Sequence, residues 1–304
     1  MSGVTLSSQL GQFSDELATL VERVSASTVS LGSRPHRPAT ATIVAPDLIV
    51  TADHVVERED DITVQTHDGR SLKATLVGRD PASDLALLRV EQLDGAPLPI
   101  ASTATRVGAL ALAVARSWQG RATARLGIVS GVSGAFRYGR GGSRLENVIV
   151  PDIGIARGLS GSPLVNAQGE VLGIITTALL RGWPIAIPAD TVTQTIATLR
   201  EHGRVRRGYL GVALQTVRLT DRQRAVRDQK RGALIVGLSG GGPADAAGLL
   251  VGDIIVGAAG SQVGEIDDVQ QALHGTAVGS TLSIEVLRGA VLTAVDVVVG
   301  EPPQ

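Results

Sequence analysis

The chain has no cysteine, so neither a disulfide framework nor a thiolate metal site is open to it. Phe, Trp and Tyr together make up 2% of the 304 residues, although 43% are hydrophobic. Its cores must therefore be built from Val, Leu, Ile and Ala, which suit short strands better than large helices. Nowhere do apolar residues reach the roughly 18 in succession that a membrane-spanning helix needs. A formal net charge of -1 gives no electrostatic case for nucleic acid or an anionic membrane as the main partner. The first residues, Met1-Ser2-Gly3-Val4-Thr5-Leu6, lack the basic-then-apolar layout of a secretory leader. The expectation is a cytoplasmic chain, with a periplasmic or other extracytoplasmic chain whose leader has been removed as the alternative.

The length allows two domains, each with its own core. Phe13, Leu17, Leu20, Val21 and Val24 recur at three-to-four spacing and predict an amphipathic helix over 12–26, within an N-terminal segment 1–27. From residue 28 the pattern changes. Short apolar runs such as Thr42-Ile43-Val44, Ile62-Thr63-Val64, Val148-Ile149-Val150 and Val171-Leu172-Gly173-Ile174-Ile175 alternate with Gly, Pro, Asp and Ser. Many short strands with turn signals predict a mainly β domain, a barrel or sandwich. Pro188-Ala189-Asp190 then opens a helix that ends near His202-Gly203. The polar stretch from Gly203 to Gly208 is the candidate boundary, dividing 28–203 from a small α/β module over 204–304. In that module strands are expected around 210–214, 233–238, 254–258 and 282–287, with helices near 243–247 and from Ile266 to His274. No internal repeat relates the two parts.

Three segments carry chemistry. Gly158-Leu159-Ser160-Gly161-Ser162-Pro163 sets a small nucleophile between glycines; Thr51-Ala52-Asp53-His54 puts a histidine after an apolar run; Asp84-Leu85-Ala86-Leu87-Leu88 puts a carboxylate at the mouth of another. The chain order His, Asp, Ser is that of a chymotrypsin-type triad. A neutral hydroxyl is a poor nucleophile, so Ser160 needs His54 as base, and His54 needs Asp84 to fix its tautomer and steady the imidazolium. The backbone amides of Gly158 and Ser160 would form the oxyanion hole. Each segment alone is an ordinary loop or strand end; their joint occurrence in one known order is not. The other histidines, His36, His67, His202 and His274, lack metal-ligand spacing. Neither metal nor cofactor is expected.

These segments resemble the HtrA (Deg) family of trypsin-like serine proteases, with Gly158–Asn166 and Gly169–Ile174 matching its serine motif and following strand. Gly242-Pro243-Ala244-Asp245-Ala246-Ala247-Gly248-Leu249, followed by Val251-Gly252-Asp253-Ile254-Ile255, resembles a PDZ domain. The resemblance implies two six-stranded β-barrels with the triad at their junction, then a PDZ domain. It also implies an ATP-independent endopeptidase acting on unfolded or damaged proteins, and a homotrimer built through the protease domains. The resemblance further implies that residues 134–146 correspond to a loop relaying peptide binding to the active site. Tyr209, Leu210, Gly211 and Val212 match the PDZ carboxylate-binding loop, and Val269 and Leu273 are expected to face the peptide groove. Gly154, six residues before Ser160, would lie at the base of the primary specificity pocket, with Ile155 and the Thr176–Ile185 segment at its walls and Trp183 narrowing it. Lacking a charged group there, the pocket is expected to take small or medium aliphatic side chains. The sequence departs from the family at Ala156-Arg157, Leu159 and Ser162, and at Ala39-Thr40-Ala41 where Gly-Ser-Gly is usual. These departures are the basis of an alternative, a non-catalytic scaffold or chaperone binding peptides through its PDZ groove.

Overall fold

Val-, Ile-, Leu- and Ala-rich runs pair into strands where turn residues interrupt them, and the pairing closes into barrels. The computed structural model describes residues 2–32, 39–116, 121–134, 136–138, 143–145, 147–180, 183–205, 208–274 and 276–301, with backbone alone at 2–7, 136–138, 143–145 and 274. It divides into two compact units, Met1–Val205 and Arg206–Gln304.

The first unit opens with α1 (Ser2–Ala26), a helix that begins well before the periodicity at 12–26. Its C-terminal part buries Leu20 and Val24 against Leu112, Val114, Val165 and Val171, whereas Leu10 and Phe13 are exposed. Six strands follow: β1 (Thr28–Leu31), β2 (Ala39–Ala45), β3 (Leu48–Thr51), β4 (Ile62–Gln65), β5 (Ser71–Asp80) and β6 (Leu85–Val90). They form a closed antiparallel barrel in the order β1-β2-β3-β6-β5-β4. Next come β7 (Leu110–Arg116), β8 (Ala122–Ser133), a separate hairpin of β9 (Phe136–Tyr138) and β10 (Ser143–Leu145), then β11 (Val148–Asp152), β12 (Pro163–Val165), β13 (Val171–Thr176) and β14 (Ile185–Pro188). Leaving out the hairpin, these close a second barrel in the order β11-β14-β13-β12-β7-β8. Numbered within each barrel, both follow one path, first-second-third-sixth-fifth-fourth. The structure thus holds a repeat inside the first unit that the sequence does not display.

Each barrel is filled as the composition requires. Val29, Ile43, Ile49, Ile62, Val64 and Leu88 are among the side chains that pack the first. Ala111, Ala113, Val129, Ile149, Leu164 and Ile175 help to pack the second. No aromatic side chain is buried among the described residues. Burying an aliphatic side chain of this size stabilises by about 1.5–3 kcal/mol each, so many small contributions replace a few large ones. Helix α2 (Ala189–His202) packs Val192 with Val50, Leu85, Ile174 and Ile187, thereby covering residues of both barrels. It ends at Gly203, whose φ of 69° and N–H bond to the Leu199 carbonyl form a left-handed C-cap.

The second unit comprises β15 (Val212–Arg218), α3 (Asp221–Arg224), β16 (Arg231–Leu238), α4 (Pro243–Ala246), β17 (Ile254–Ala258), β18 (Ser261–Gln262), α5 (Ile266–His274), β19 (Thr281–Arg288) and β20 (Val291–Val298). Its sheet runs β15-β16-β17-β19-β20, so β15 is an edge strand. Asp253, only 2% exposed, is clamped by Arg288 through Nε (2.9 Å) and Nη2 (2.8 Å) and by the Leu250 amide. Burial pushes this carboxyl up, but the Arg288 hydrogen bonds, the Leu250 amide and the Arg288 charge outweigh it and hold the group below its ordinary 3.8. A depressed folded value means that the clamp stabilises fully above the unfolded value and is lost as pH falls through the folded one. Asp253→Asn should therefore cost this unit about 1.5–3 kcal/mol near neutral pH. In calorimetry of the whole chain, the gap between wild type and variant should narrow below the ordinary carboxylate range.

Candidate active site

Asp84 organises the first half of the site. It sits just before β6 with φ 53°, a left-handed conformation that costs a non-glycine residue about 1–3 kcal/mol. That conformation lets one carboxylate hold His54 twice: Oδ1 accepts the His54 backbone N–H at 2.8 Å and Oδ2 accepts ring Nδ1 at 2.8 Å. The Thr176 hydroxyl donates to the same Oδ2, and the Asp84 carbonyl accepts the Asp53 amide at 3.0 Å. Asp84 is buried, while the His54 side chain keeps 30% of its surface. A proton on Nδ1 donated to this carboxylate is the tautomer in which Nε2 can accept a proton.

His54 lies in a 3₁₀ turn, Asp53–Val55, directly after β3. The turn is anchored by Arg79, whose Nε donates to Asp53 Oδ1 at 2.6 Å and whose Nη2 reaches the Val56 carbonyl. Burial raises the Asp53 pKa; the Arg79 hydrogen bond and charge act against that shift.

Ser160 belongs to the loop between β11 and β12. Gly158 and Gly161 take φ of 86° and 82°, a region open to glycine at no steric cost. At Gly161 a Cβ would lie 1.9 Å from the Thr40 carbonyl oxygen, so no other residue fits. Strand β2 of the first barrel grips this loop from the second. Thr40 Oγ1 donates to the Gly158 carbonyl at 2.7 Å, the Thr40 amide to the Ser160 carbonyl at 3.1 Å, and Thr42 Oγ1 to the Gly161 carbonyl at 3.0 Å. Consecutive residues link the two halves: Thr176 bonds Asp84 of the first barrel, and Thr177 bonds Ser160 in the loop of the second.

Two departures from the family pattern acquire physical roles here. Leu159 is 1% exposed and packs in the second barrel's core, anchoring the loop by apolar contact. Ser162 donates both its hydroxyl (2.6 Å) and its amide (3.0 Å) to the Leu159 carbonyl. Because the Leu159–Ser160 peptide is trans, that carbonyl turns the Ser160 N–H the opposite way. Among the described residues, neither the Gly158 amide nor the Ser160 amide has a protein acceptor. Arg157 is exposed.

The Ser160 hydroxyl lies 2.9 Å from Thr177 Oγ1, and among the described residues its hydrogen bond is made there and not to His54. Thr40, Thr176 and Thr177 are thus site residues that the motifs did not single out. The available signal was a threonine in an otherwise apolar buried strand, since buried hydroxyls take partners. Gly154 takes φ 62°, and Ile155 and Trp183 lie on the surface at 55% and 62% exposure. Part of the 134–146 loop, residues 135, 139–142 and 146, lies outside the described residues.

In the second unit, Tyr209 and Gly300 exchange backbone hydrogen bonds, and Tyr209 Oη lies 2.7 Å from Ser239 Oγ. Gly211 has φ 78° and its carbonyl accepts the Ser239 amide. Among the described residues the Leu210 and Gly211 amides have no protein acceptor, and they lead into the open edge of β15, with Val212 as its first residue. The side chains of Leu210 and Val269 are core residues, at 2% and 1% exposure, so Val269 does not offer a groove surface; Leu273 is half-buried against the same core.

The chain matches the family model of the trypsin-like peptidase domain over residues 39–174 and that of the PDZ domain over residues 208–299. A probable periplasmic serine endoprotease, DegP-like, of Hahella chejuensis is 35% identical over 86% of this chain and 56% of that relative. Its counterpart in Pseudomonas savastanoi pv. phaseolicola is 33% identical over 91% of this chain and 57% of its own length. The chain thus spans little more than half the length of these curated relatives. Among solved structures, a serine endoprotease of Yersinia pestis superposes with TM-score 0.77 at 27% identity, covering 93% of this chain and 97% of that one. The HtrA-type protease AlgW with a decapeptide gives 0.77 at 27% identity, covering 94% and 99%. The relatives' names overturn the cytoplasmic expectation, for they are named periplasmic. The absent leader pattern was weak ground, because a targeting segment is removed from a mature chain and says nothing about its fold. With two closed barrels, a PDZ module and these relatives, the chain belongs to the HtrA (Deg) family of trypsin-like serine proteases.

Proposed function

We propose that the chain is a serine endopeptidase in which Ser160 is the nucleophile, His54 the general base and acid, and Asp84 the orienting carboxylate. The observation that carries this reading is the double grip of Asp84 on the His54 backbone and ring. Ser160 Oγ attacks the scissile carbonyl carbon while its proton passes to His54 Nε2. The carbonyl electrons move onto oxygen, where the Gly158 and Ser160 amides stabilise the negative charge, each donor contributing about 3 kcal/mol. Collapse expels the amine, which takes the proton from His54. Water then enters, gives its proton to His54 and releases the acyl group as a carboxylic acid, restoring Ser160.

Substrates are unfolded or damaged proteins, cut without ATP after small or medium aliphatic residues held against Gly154, Ile155 and Trp183. Such residues are buried in native folds and become accessible on unfolding. The Tyr209–Val212 loop takes a peptide C-terminus, with the peptide added as a strand along the edge of β15; the Leu210 and Gly211 amides, without a protein acceptor among the described residues, and the edge position of β15 support this use. Leu273 is retained as a groove residue. The relatives' names support a periplasmic location; family membership implies a homotrimer, and exposed Leu10, Phe13, Leu126 and Ile128 offer apolar surface on the first unit for such association.

A peptide panel that varies only the residue before the cut tests the substrate reading. Val, Ala or Leu should be preferred; preference for Arg, Lys or Glu would contradict it. The alternative, a non-catalytic peptide-binding scaffold, draws on the engagement of Ser160 by Thr177. That reading predicts peptide binding with no cleavage of any member of the panel.

A further inference from the structure

Consecutive threonines at the end of β13 touch both halves of the site. Thr176 donates to Asp84 Oδ2, and Thr177 Oγ1 lies 2.9 Å from Ser160 Oγ. The Thr176 hydroxyl also accepts the Ala178 amide at 3.1 Å, which fixes the turn that presents Thr177. A serine hydroxyl carries one proton and occupies one staggered rotamer at a time. In this structure the rotamer faces Thr177 and makes no hydrogen bond to His54 among the described residues.

The Ser160 backbone is pinned at its carbonyl and through both neighbours. Its carbonyl accepts the Thr40 amide at 3.1 Å, the preceding Leu159 carbonyl is held by Ser162, and the following Gly161 amide donates to Ile175 at 2.8 Å. With the loop so held, freeing Ser160 Oγ from Thr177 asks only a rotation about its own χ1.

We propose that Thr177 is a positioning residue that holds the nucleophile in a resting rotamer, so that acylation begins with the exchange of Thr177 for His54. This rests on the serine endopeptidase reading. Whichever hydroxyl donates, attack requires the bond to open, so its net strength subtracts from the rate of acylation. For a neutral hydrogen bond that net strength corresponds to roughly 2- to 10-fold. The contact lies on the nucleophile itself.

The test is the rate at which a fluorophosphonate probe labels Ser160, read with kcat and KM on an aliphatic peptide. Thr177→Val should label about 2- to 10-fold faster than wild type, with kcat raised and KM unchanged. Thr177→Ser, which restores the hydroxyl, should remove most of that gain. Thr177→Ala gives the same expectation as Val should the branched side chain fail to fold there, with far-ultraviolet circular dichroism as the check. Labelling by the Val or Ala variant that is no faster than wild type overturns the inference, as does a Ser variant as fast as Val. Wild type that takes up no probe at all would instead remove the peptidase reading, and this inference with it.

Discussion

Asp84→Asn is expected to lower kcat about 10⁴-fold while leaving the barrels folded. Asp84 accepts three donors in the structure, from the His54 amide, His54 Nδ1 and the Thr176 hydroxyl. An asparagine can still accept at one oxygen, but its amide group donates. Placed against Nδ1, that group forces the proton onto Nε2, and the tautomer can no longer receive the Ser160 proton. The geometry would survive; the direction of proton flow would not. Steady-state cleavage of an unfolded substrate, alongside a thermal melt, separates this from unfolding. Activity within tenfold of wild type would mean that His54 does not depend on Asp84.

His54→Ala should cost more, about 10⁶-fold in kcat, because it removes the base that takes the proton. Combining it with Asp84→Asn should lower activity little further than His54→Ala alone, since the two act as one unit. Additive losses in the double variant would show that they act independently. The half-exposed ring makes the substitution a mild one for stability.

What the sequence displayed and what it concealed divide along a physical line. His54 and Asp84 stood out as candidates because they flank strands, and Ser160 because glycine at 158 and 161 announces a backbone that other residues cannot follow. The ends of α2 and the strands β16, β17 and β19 were legible from caps and apolar runs. Strand β20 was not, since Val291-Leu292-Thr293-Ala294-Val295-Asp296-Val297-Val298 carries apolar residues on both faces and shows no clean alternation. The barrel repeat was hidden because topology is set by long-range pairing, and quite different aliphatic runs satisfy it. Most concealed were the threonines. Thr40 lies 118 residues from Gly158, and Thr176 lies 92 residues from Asp84, yet their hydroxyls hold the Gly158 carbonyl and the Asp84 carboxylate. In sequence each reads only as a good strand former.

Those hydroxyls also make sense of the departures at Leu159 and Ser162. A family loop usually rich in small polar residues is here fastened by an apolar anchor and a hydroxyl clamp on the Leu159 carbonyl. The backbone ends with the Gly158 and Ser160 amides uncommitted among the described residues, as an oxyanion site requires.

The account depends on one side chain being activated by the pair that faces it. Mass spectrometry after treatment with a fluorophosphonate locates the covalent adduct, and treatment of His54→Ala in parallel asks whether the imidazole is needed. A single adduct on Ser160 in the wild type, abolished in His54→Ala, is the predicted result. Folded protein that remains unmodified, or that is modified equally with and without His54, would contradict it.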